Sequence, residues 1–380
     1  MDFNWTKEQS EIREQAIKFA QDANRSDIIE LDRNSEFPMD QWKKYADYGV
    51  LGLTVPTEYG GKGMDFMTCI ALMEGLGYGS NDSGILLSVI AHIWSCVDPV
   101  IKFGSDEQKE KYLPGLCSGK IIGVHAITEP DGGSDALTNM KTKAIEQDGH
   151  YLLNGTKTFI SNGDIADLVL VLCKVTNKDG IEKLSCLLID KDTPGFTTKK
   201  IEKMGLRTCP FNTLEFKDCK IPKSNLIGDF GAGKIIFNHV MSRERAFVMA
   251  TQIGVMESQL EKCVKYAKKR RQFNERIFNF QQVSSMIADM KVRLEASKLL
   301  VYKVGWLNDL GRNSFQYSSI AKLYVSESQV QNSILAMKIH GGYGYTTEGE
   351  VERQLRDSFG GIFTSGTSEI MKNIIAKLID

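Results

Sequence analysis

The stretch DGHYLLNGTKTFIS (148–161) lies in the middle of a chain whose two ends have a helical pattern. It opens on the turn pair Asp148-Gly149 and continues as a short apolar run, which is typical of a β-strand entered from a tight turn. Further short runs follow at 169–173, 184–189, 196–200 and 214–216. Residues 121–233 therefore predict a middle β domain. Their spacing favours a small antiparallel barrel or sandwich over alternating βαβ units.

Helical patterns flank this β segment on both sides. Residues 1–120 include two helix-start capping boxes, Thr6-x-x-Gln9 and Ser105-x-x-Gln108. Residues 234–380 contain helical patterns at about 235–271, 280–310 and 314–339, with a shorter one from about 368. Long helices with short connections are typical of a bundle. The expected fold class is α+β, mostly α: an N-terminal helical domain (1–120), a middle β-barrel (121–233) and a C-terminal four-helix bundle (234–380).

Composition narrows the classes of function. The 380 residues are 42% hydrophobic with a formal net charge of -1, so no broad basic surface for nucleic acid or an anionic membrane is expected. The N-terminus lacks the pattern of a signal peptide, and no uninterrupted apolar stretch is expected to span a bilayer, which predicts a soluble cytoplasmic protein. The eight cysteines are scattered without metal-ligand spacing. We therefore expect reduced packing thiols and no metal site.

Glu244 is a charged residue on the predicted buried, apolar face of a long helix. Its neighbours at helical spacing are apolar, and Arg243 and Arg245 stand directly beside it in the sequence. One interpretation is a structural ion pair with a neighbouring arginine. The other is a general base whose pKa is raised by apolar surroundings. Spacing alone favours the ion pair.

Two glycine motifs do not support a nucleotide-binding loop. The string 228–234 copies most of a phosphate-binding loop, but Ile235 stands where a magnesium-coordinating Ser or Thr is required. The run 341–344 lacks the GxGxxG spacing and follows a helical stretch, which disfavours a nicotinamide enzyme.

Five other motifs occur in a fixed order along the chain. They are AITEPDGGSD (126–135), NGTKTFISN (154–162), RRQF (270–273) with Phe280-Gln281, HGGYGY (340–345) and SGTS (365–368). With these motifs the chain resembles the acyl-CoA dehydrogenase family over nearly its whole length. The resemblance implies a bound FAD and an oxidoreductase.

The resemblance also assigns the cofactor contacts. It places Thr128, Gly133 and Ser134 near the flavin, Phe159, Ile160 and Ser161 on its other wall, and Thr367 against the cofactor. Further residues are expected to reach the FAD of a neighbouring subunit: Arg270, Phe273, Gln281, Lys338, Gly341 and Gly342. For Lys338, simple exposure to solvent is the alternative. FAD binding then requires at least a dimer, and a homotetramer is the family expectation.

The family reaction is dehydrogenation next to a thioester, in which a base removes the Cα proton and a hydride leaves Cβ. Many members carry the basic glutamate in a Glu-Gly-Thr motif, where this chain has Ser365-Gly366-Thr367. A hydroxyl without assistance is too weak a base. A minority place the glutamate just before a family arginine, which matches Glu244-Arg245. The prediction is therefore that Glu244 is the catalytic base, with Glu369 as the rival carboxylate.

Finer resemblance concerns the substrate. LRTCP (206–210) and SRERA (242–246) are similar to the prolyl-carrier-protein dehydrogenases and oxidases, the anatoxin-a type included. The implied substrate is L-proline, held as a thioester on the phosphopantetheine arm of an acyl carrier protein, with Ser134, Arg245 and Ser365 on the substrate side. A short- or branched-chain acyl-CoA dehydrogenase is the alternative. The electron acceptor stays open between an electron-transfer flavoprotein and O2.

Overall fold

The structure, a computed structural model, describes residues 5–379, and its helices precede and follow a β-sheet. Both expected capping boxes are present, at Thr6 and at Ser105. The helices that precede the sheet are α1 (Lys7–Ala23), α2 (Ile28–Asn34), α3 (Met39–Asp47), α4 (Phe66–Gly79), α5 (Ser83–His92), α6 (Asp98–Phe103) and α7 (Asp106–Cys117).

Helices α5 and α6 belong to one helical run, Ser83–Phe103, joined by a π-helical turn at Ile93–Val97. The run has 21 residues and a mean hydropathy of 1.7, so it has the length and composition to span a bilayer, although His92 and Asp98 interrupt its apolar sequence. Most of the run is buried inside the protein, and Asp98 within it pairs with Arg243. Its apolar character is that of a core helix.

The middle segment forms one sheet with strand order β6-β7-β3-β2-β4-β5-β8, and β1 pairs with β4. The strands are β1 (Gly123–Ala126), β2 (Lys143–Gln147), β3 (His150–Ser161), β4 (Leu168–Thr176), β5 (Glu182–Asp190), β6 (Phe196–Lys200), β7 (Phe211–Pro222) and β8 (Leu226–Ile227). The expectation of a purely antiparallel sheet is wrong, because β1 and β2 both run parallel to β4. They share one edge of β4, and the residues between them leave the sheet as a loop.

The sheet curls around its own core, which corresponds to the expected barrel. Side chains from distant strands, including Leu187 of β5 and Phe216 of β7, lie in the same buried cluster. Two register shifts interrupt the pairing of β3 with β7, at Leu153/Gly155 and at Lys157/Ile160. The second shift is a β-bulge inside the NGTKTFIS motif, and such bulges redirect side chains.

Long helices follow the sheet, and they begin and end within about two residues of the expected positions. The elements are α8 (Gly233–Lys269), the hairpin strands β9 (Arg271–Gln272) and β10 (Glu275–Arg276), α9 (Gln281–Asp309), α10 (Phe315–His340), α11 (Val351–Ser358), α12 (Gly360–Phe363) and α13 (Ser368–Lys377). A short 3-10 turn, Gly341–Tyr345, follows α10. Helices α8, α9, α10 and α13 pack as the C-terminal bundle.

Glycines allow α8 to approach the N-terminal helices closely. A Cβ on Gly77 of α4 would lie 1.9 Å from the carbonyl oxygen of Thr251, and one on Gly254 of α8 would lie 2.0 Å from that of Glu74. This contact fixes α8 against α4 near its middle.

The eight cysteines are free and buried, which confirms the expectation of packing thiols.

Candidate active site

Glu244 lies on α8, where its half-buried carboxylate accepts hydrogen bonds from two serines. Ser365 Oγ donates to Oε1 at 2.6 Å, and Ser95 Oγ donates to Oε2 at 3.0 Å. Ser365 lies just before α13, and Ser95 lies in the π-helical turn between α5 and α6. Three separate parts of the chain therefore meet at this carboxylate.

Neither neighbouring arginine forms an ion pair with Glu244 in the described residues 5–379. Arg243 pairs with Asp98, which also accepts a 2.7 Å hydrogen bond from His239 Nε2. The Arg245 side chain is 3% exposed; its Nε donates to the carbonyl oxygen of Ser365 at 3.1 Å. The ion pair that spacing alone favoured is not formed.

Burial raises the pKa of Glu244 above its usual range. The hydrogen bonds from Ser365 and Ser95, and then the charge of Arg245, oppose that effect because each favours the ionised carboxylate. The rival Glu369 is exposed at the N-terminus of α13, where hydrogen bonds to its own amide and to Thr367 lower its pKa. Glu244 is the better placed of the two for proton abstraction.

Buried cations hold the loop that carries Ser365. Ser365 has a left-handed backbone with φ 57°, and Gly366 follows with φ 105°. Lys322 of α10 donates from Nζ to the carbonyl oxygens of Ile362 and Gly366, at 3.0 and 2.5 Å. Burial lowers the pKa of Lys322 to about 8. Thr367 caps α13 by accepting a 3.3 Å hydrogen bond from the Ile370 amide.

The expected flavin motifs 126–135 and 154–162 lie side by side. The Thr158 amide donates to the carbonyl oxygen of Thr128 at 2.8 Å, and Gly133 lies beside the Thr128 methyl group. Thr128 is half-buried, while Gly133 and Ser134 are exposed. The loop after β1 therefore presents backbone and hydroxyl groups to the surface next to β3.

A buried ion pair ties these motifs together. Lys157 Nζ donates to Glu129 Oε1 at 2.9 Å and to the Ile127 carbonyl at 2.8 Å. The Glu129 carboxylate also accepts from the amides of Lys141 and Thr142. Burial alone would raise the pKa of Glu129. These hydrogen bonds and the charge of Lys157 nevertheless keep that pKa below its usual value.

The β-bulge of β3 turns Phe159 outward. Phe159 has φ 60°, is 57% exposed and stacks on Phe211 with ring centroids 5.7 Å apart. Ile160 returns to the core, and Ser161 is half-buried. An aromatic face beside available hydroxyls suits a flat heteroaromatic ligand with polar edges.

The remaining predicted residues form a second cluster at the far end of α8. Arg270 ends α8, Phe273 sits at the tip of the β9–β10 hairpin with 91% exposure, and Gln281 begins α9. The ring of Tyr266 lies 4.3 Å from His340, which brings the end of α10 alongside. The cluster therefore also includes three exposed residues of that end: Lys338, Gly341 and Gly342.

The two clusters are far apart within one chain. Glu244 and Arg270 are separated by 26 positions along α8 and its cap, which corresponds to about 39 Å at the rise of an α-helix. Arg270 and Glu244 of the same chain are therefore too far apart to contact one ligand together.

His92 is a core residue. It bridges the Leu116 carbonyl, 3.1 Å from Nε2, and the Gly123 amide, 2.9 Å from Nδ1, and burial lowers its pKa to about 4.

The sequence motifs did not single out Ser95, Lys322 or the Glu129–Lys157 pair. The pair occurs inside two quoted motifs, which was a usable signal, whereas nothing in the local sequence singles out Ser95.

Comparison with known proteins identifies the family of the chain. The models of the acyl-CoA dehydrogenase N-terminal, middle and C-terminal domains match residues 6–120, 125–219 and 231–379. An L-prolyl-[peptidyl-carrier protein] dehydrogenase of Serratia sp. (strain ATCC 39006) is 38% identical, over 99% of this chain and 98% of the relative.

Solved structures agree. The prolyl acyl carrier protein oxidase AnaB superimposes with a TM-score of 0.96 at 42% identity, covering 99% of this chain and 100% of AnaB. PigA with FAD and proline gives a TM-score of 0.95 at 38% identity, covering 100% of this chain and 99% of PigA. The chain belongs to the acyl-CoA dehydrogenase family.

Proposed function

We propose that the chain is an FAD-dependent oxidoreductase that dehydrogenates L-proline held as a thioester on a carrier protein. The product is a pyrroline thioester, or a pyrrole thioester after a second oxidation. Similarity over the whole chain to a prolyl-carrier-protein dehydrogenase and to a prolyl acyl carrier protein oxidase supports this substrate. The single observation that carries the chemistry is Glu244, a half-buried carboxylate with a raised pKa and two hydroxyl donors.

The residues around the flavin motifs fit FAD. Phe159 exposes an aromatic face that a bound planar ring would cover, and Thr128, Ser134 and Ser161 offer hydroxyls for its polar edge. In the second cluster, a Cβ on Gly341 or Gly342 would meet no atom within 4 Å, so a ligand can approach the backbone there. Arg270 supplies a cation suited to a pyrophosphate.

The two clusters support a homo-oligomer. Because about 39 Å separates Glu244 from Arg270 along α8, the second cluster would serve the cofactor of another copy. Phe273 and Tyr345, which are 91% and 84% exposed, provide apolar surface for such an interface. At least a dimer is required, and we propose a tetramer.

In the reaction, Glu244 takes the Cα proton of the prolyl thioester onto its carboxylate. Bound FAD supplies the acceptor for the hydride that leaves the substrate. Ser365 and Ser95 orient the Glu244 carboxylate, and Arg245 holds the backbone of Ser365. Ser134 and Arg245 are proposed on the substrate side, where the phosphopantetheine arm would enter.

The pH dependence follows from the same geometry. Since burial raises the pKa of Glu244, the ionised base is lost at a higher pH than for an exposed glutamate. The rate of flavin reduction should therefore rise with pH, with the midpoint of its acidic limb above 4.5, the usual value for this side chain. An acidic limb centred at or below that value would contradict the assignment.

The test is rapid-mixing measurement of flavin reduction in the FAD-loaded protein. With prolyl carrier protein as substrate, Glu244→Gln should lower the rate by about 100-fold or more, the usual scale of general-base catalysis. Glu369→Gln is the matched control and should leave the rate near that of the wild type. A Glu244→Gln protein that reduces its flavin at the wild-type rate would contradict the assignment of the base.

The same assay separates the two substrate classes. Reduction by isovaleryl-CoA but not by prolyl carrier protein would favour a branched-chain acyl-CoA dehydrogenase. Reoxidation under O2, compared with reoxidation by an electron-transfer flavoprotein, identifies the acceptor. Mass spectrometry of the carrier-bound product distinguishes removal of two electrons from removal of four.

A further inference from the structure

Ser95 lies where the helical run Ser83–Phe103 changes its hydrogen-bonding pattern. Residues Ile93–Val97 form a π-helical turn, which holds more residues than a turn of α-helix and so redirects the side chains. Single π-helical turns inside α-helices occur frequently at functional sites. Here the turn directs Ser95 Oγ at Glu244 Oε2, 3.0 Å away.

The turn is fixed on both sides of Ser95. Trp94 is buried and packs on Phe247 of α8 with ring centroids 4.6 Å apart. Cys96 lies beneath Gly123 of β1, where a Cβ would come within 2.5 Å of its Sγ. Ser95 itself is 6% exposed. The direction of its hydroxyl is therefore set by packing, with little freedom to move.

We propose that Ser95 is a positioning residue of the active site, which uses the π-helical turn to orient the Glu244 carboxylate and to favour its ionised form. The inference rests on the proposed role of Glu244 as the base. Ser365 holds one carboxylate oxygen and Ser95 holds the other. With both oxygens held, the plane of the carboxylate is fixed, whereas Ser365 alone leaves it free to rotate.

Ser95 matters because few charged groups near Glu244 favour ionisation. On α8, Arg245 is positive, while Arg243 and His239 are engaged by Asp98 of α6. From the loop side, Lys322 of α10 is directed at backbone carbonyls, and Glu369 of α13 is exposed. A neutral donor that binds the ionised carboxylate therefore opposes the effect of burial.

The experiment follows the titration of the Glu244 carboxyl carbon by NMR in the FAD-loaded protein labelled at glutamate Cδ. The signal is assigned by its loss in Glu244→Gln. Ser95→Ala should raise the titration midpoint by about one pH unit, and the acidic limb of flavin reduction should move by the same amount. Ser95→Thr, which keeps the hydroxyl, should restore both values to those of the wild type.

Ser88→Ala is the matched control. Ser88 is buried in α5 of the same helical run, and within residues 5–379 its hydroxyl makes no hydrogen bond to Glu244. It should shift neither midpoint. Ser95→Cys, with a weaker donor, should give a smaller shift in the same direction and covers the case that Ser95→Ala does not fold.

The outcomes separate this inference from the assignment of the base. If Ser95→Ala leaves both the titration and the acidic limb unchanged, the inference is overturned, whatever Glu244→Gln does. If the titration shifts as expected but Glu244→Gln still reduces its flavin normally, the hydrogen bond acts as inferred and the assignment of the base fails.

Discussion

At the scale of single residues, Glu244 shows why adjacency in the sequence misleads. Its neighbours Arg243 and Arg245 are the obvious ion-pair partners, but successive residues on an α-helix do not face each other. Arg243 is directed to Asp98, and Arg245 to the Ser365 carbonyl. The carboxylate is left to two serines from distant parts of the chain. Burial raises the pKa of Glu244, and the two serine hydrogen bonds oppose that rise.

The contact between Glu244 and Ser365 predicts that a glutamate at position 365 can replace Glu244 as the catalytic base. Ser365 Oγ lies 2.6 Å from Glu244 Oε1, so a carboxylate at position 365 would reach much of the same space. Glu244→Ala should lower the rate of flavin reduction by about 100-fold or more. The double variant Glu244→Ala/Ser365→Glu should recover part of this rate. On a logarithmic scale of the rate, the recovery should be at least a tenth of the loss caused by Glu244→Ala, measured by rapid mixing with prolyl carrier protein.

Ser365→Glu alone is the control for this exchange. Two carboxylates so close together raise each other's pKa, so the acidic limb of this variant should move to higher pH. A double variant no faster than Glu244→Ala would show that position 365 does not reach the substrate.

At the scale of elements, pattern predicts what local physics controls. The capping boxes at Thr6 and Ser105 and the bounds of the long helices α8, α9 and α10 agree with sequence expectation, because periodicity and capping are local. The parallel pairing of β1 and β2 with β4, the bulge at Phe159 and the π-helical turn at Ser95 depend on contacts between distant segments. Those features decide where the site residues point, and the sequence pattern carries no signal for them.

The Glu129–Lys157 pair is the element-scale contact that holds the loop after β1 against β3. Both side chains are buried, so removing one partner leaves an uncompensated charge. Lys157→Met should lower the free energy of unfolding by about 3 to 5 kcal/mol. It should also reduce the FAD content of the purified protein, because Thr128 and Ser134 lie on the released loop.

Thermal unfolding and flavin absorbance of the same samples measure both effects. The double variant Glu129→Gln/Lys157→Met removes the isolated charge and should be more stable than Lys157→Met alone. Lys141→Met is the matched control, since its partner Asp131 is exposed and such surface pairs contribute little. Equal stability of Lys157→Met and the wild type would contradict this role for the pair.

At the scale of the whole molecule, the site predicted from the sequence divides into two surfaces, one beside Glu244 and one at the C-terminal end of α8. Periodicity predicts one long helix, yet a list of cofactor residues does not reveal that Glu244 and Arg270 are about 39 Å apart on it. The second surface is exposed and apolar at Phe273 and Tyr345. Such exposure is consistent with the interface between copies proposed above. The assembly is therefore part of the proposed site.

This division predicts that damage to the hairpin tip lowers both assembly and cofactor retention. Phe273 is 91% exposed in the single chain and already has φ 51°, so Phe273→Glu adds no new backbone strain and removes only an edge-on ring contact with Phe280. At an interface it would bury an unpaired charge. Light scattering should show a smaller assembly, and the Kd for FAD should rise about tenfold or more.

Ile181→Glu, at a 50% exposed residue in the β4–β5 turn, is the matched control and should change neither quantity. If Phe273→Glu kept the wild-type mass and affinity, the hairpin would lie outside the interface, and Arg270 would have no route to the cofactor of another copy.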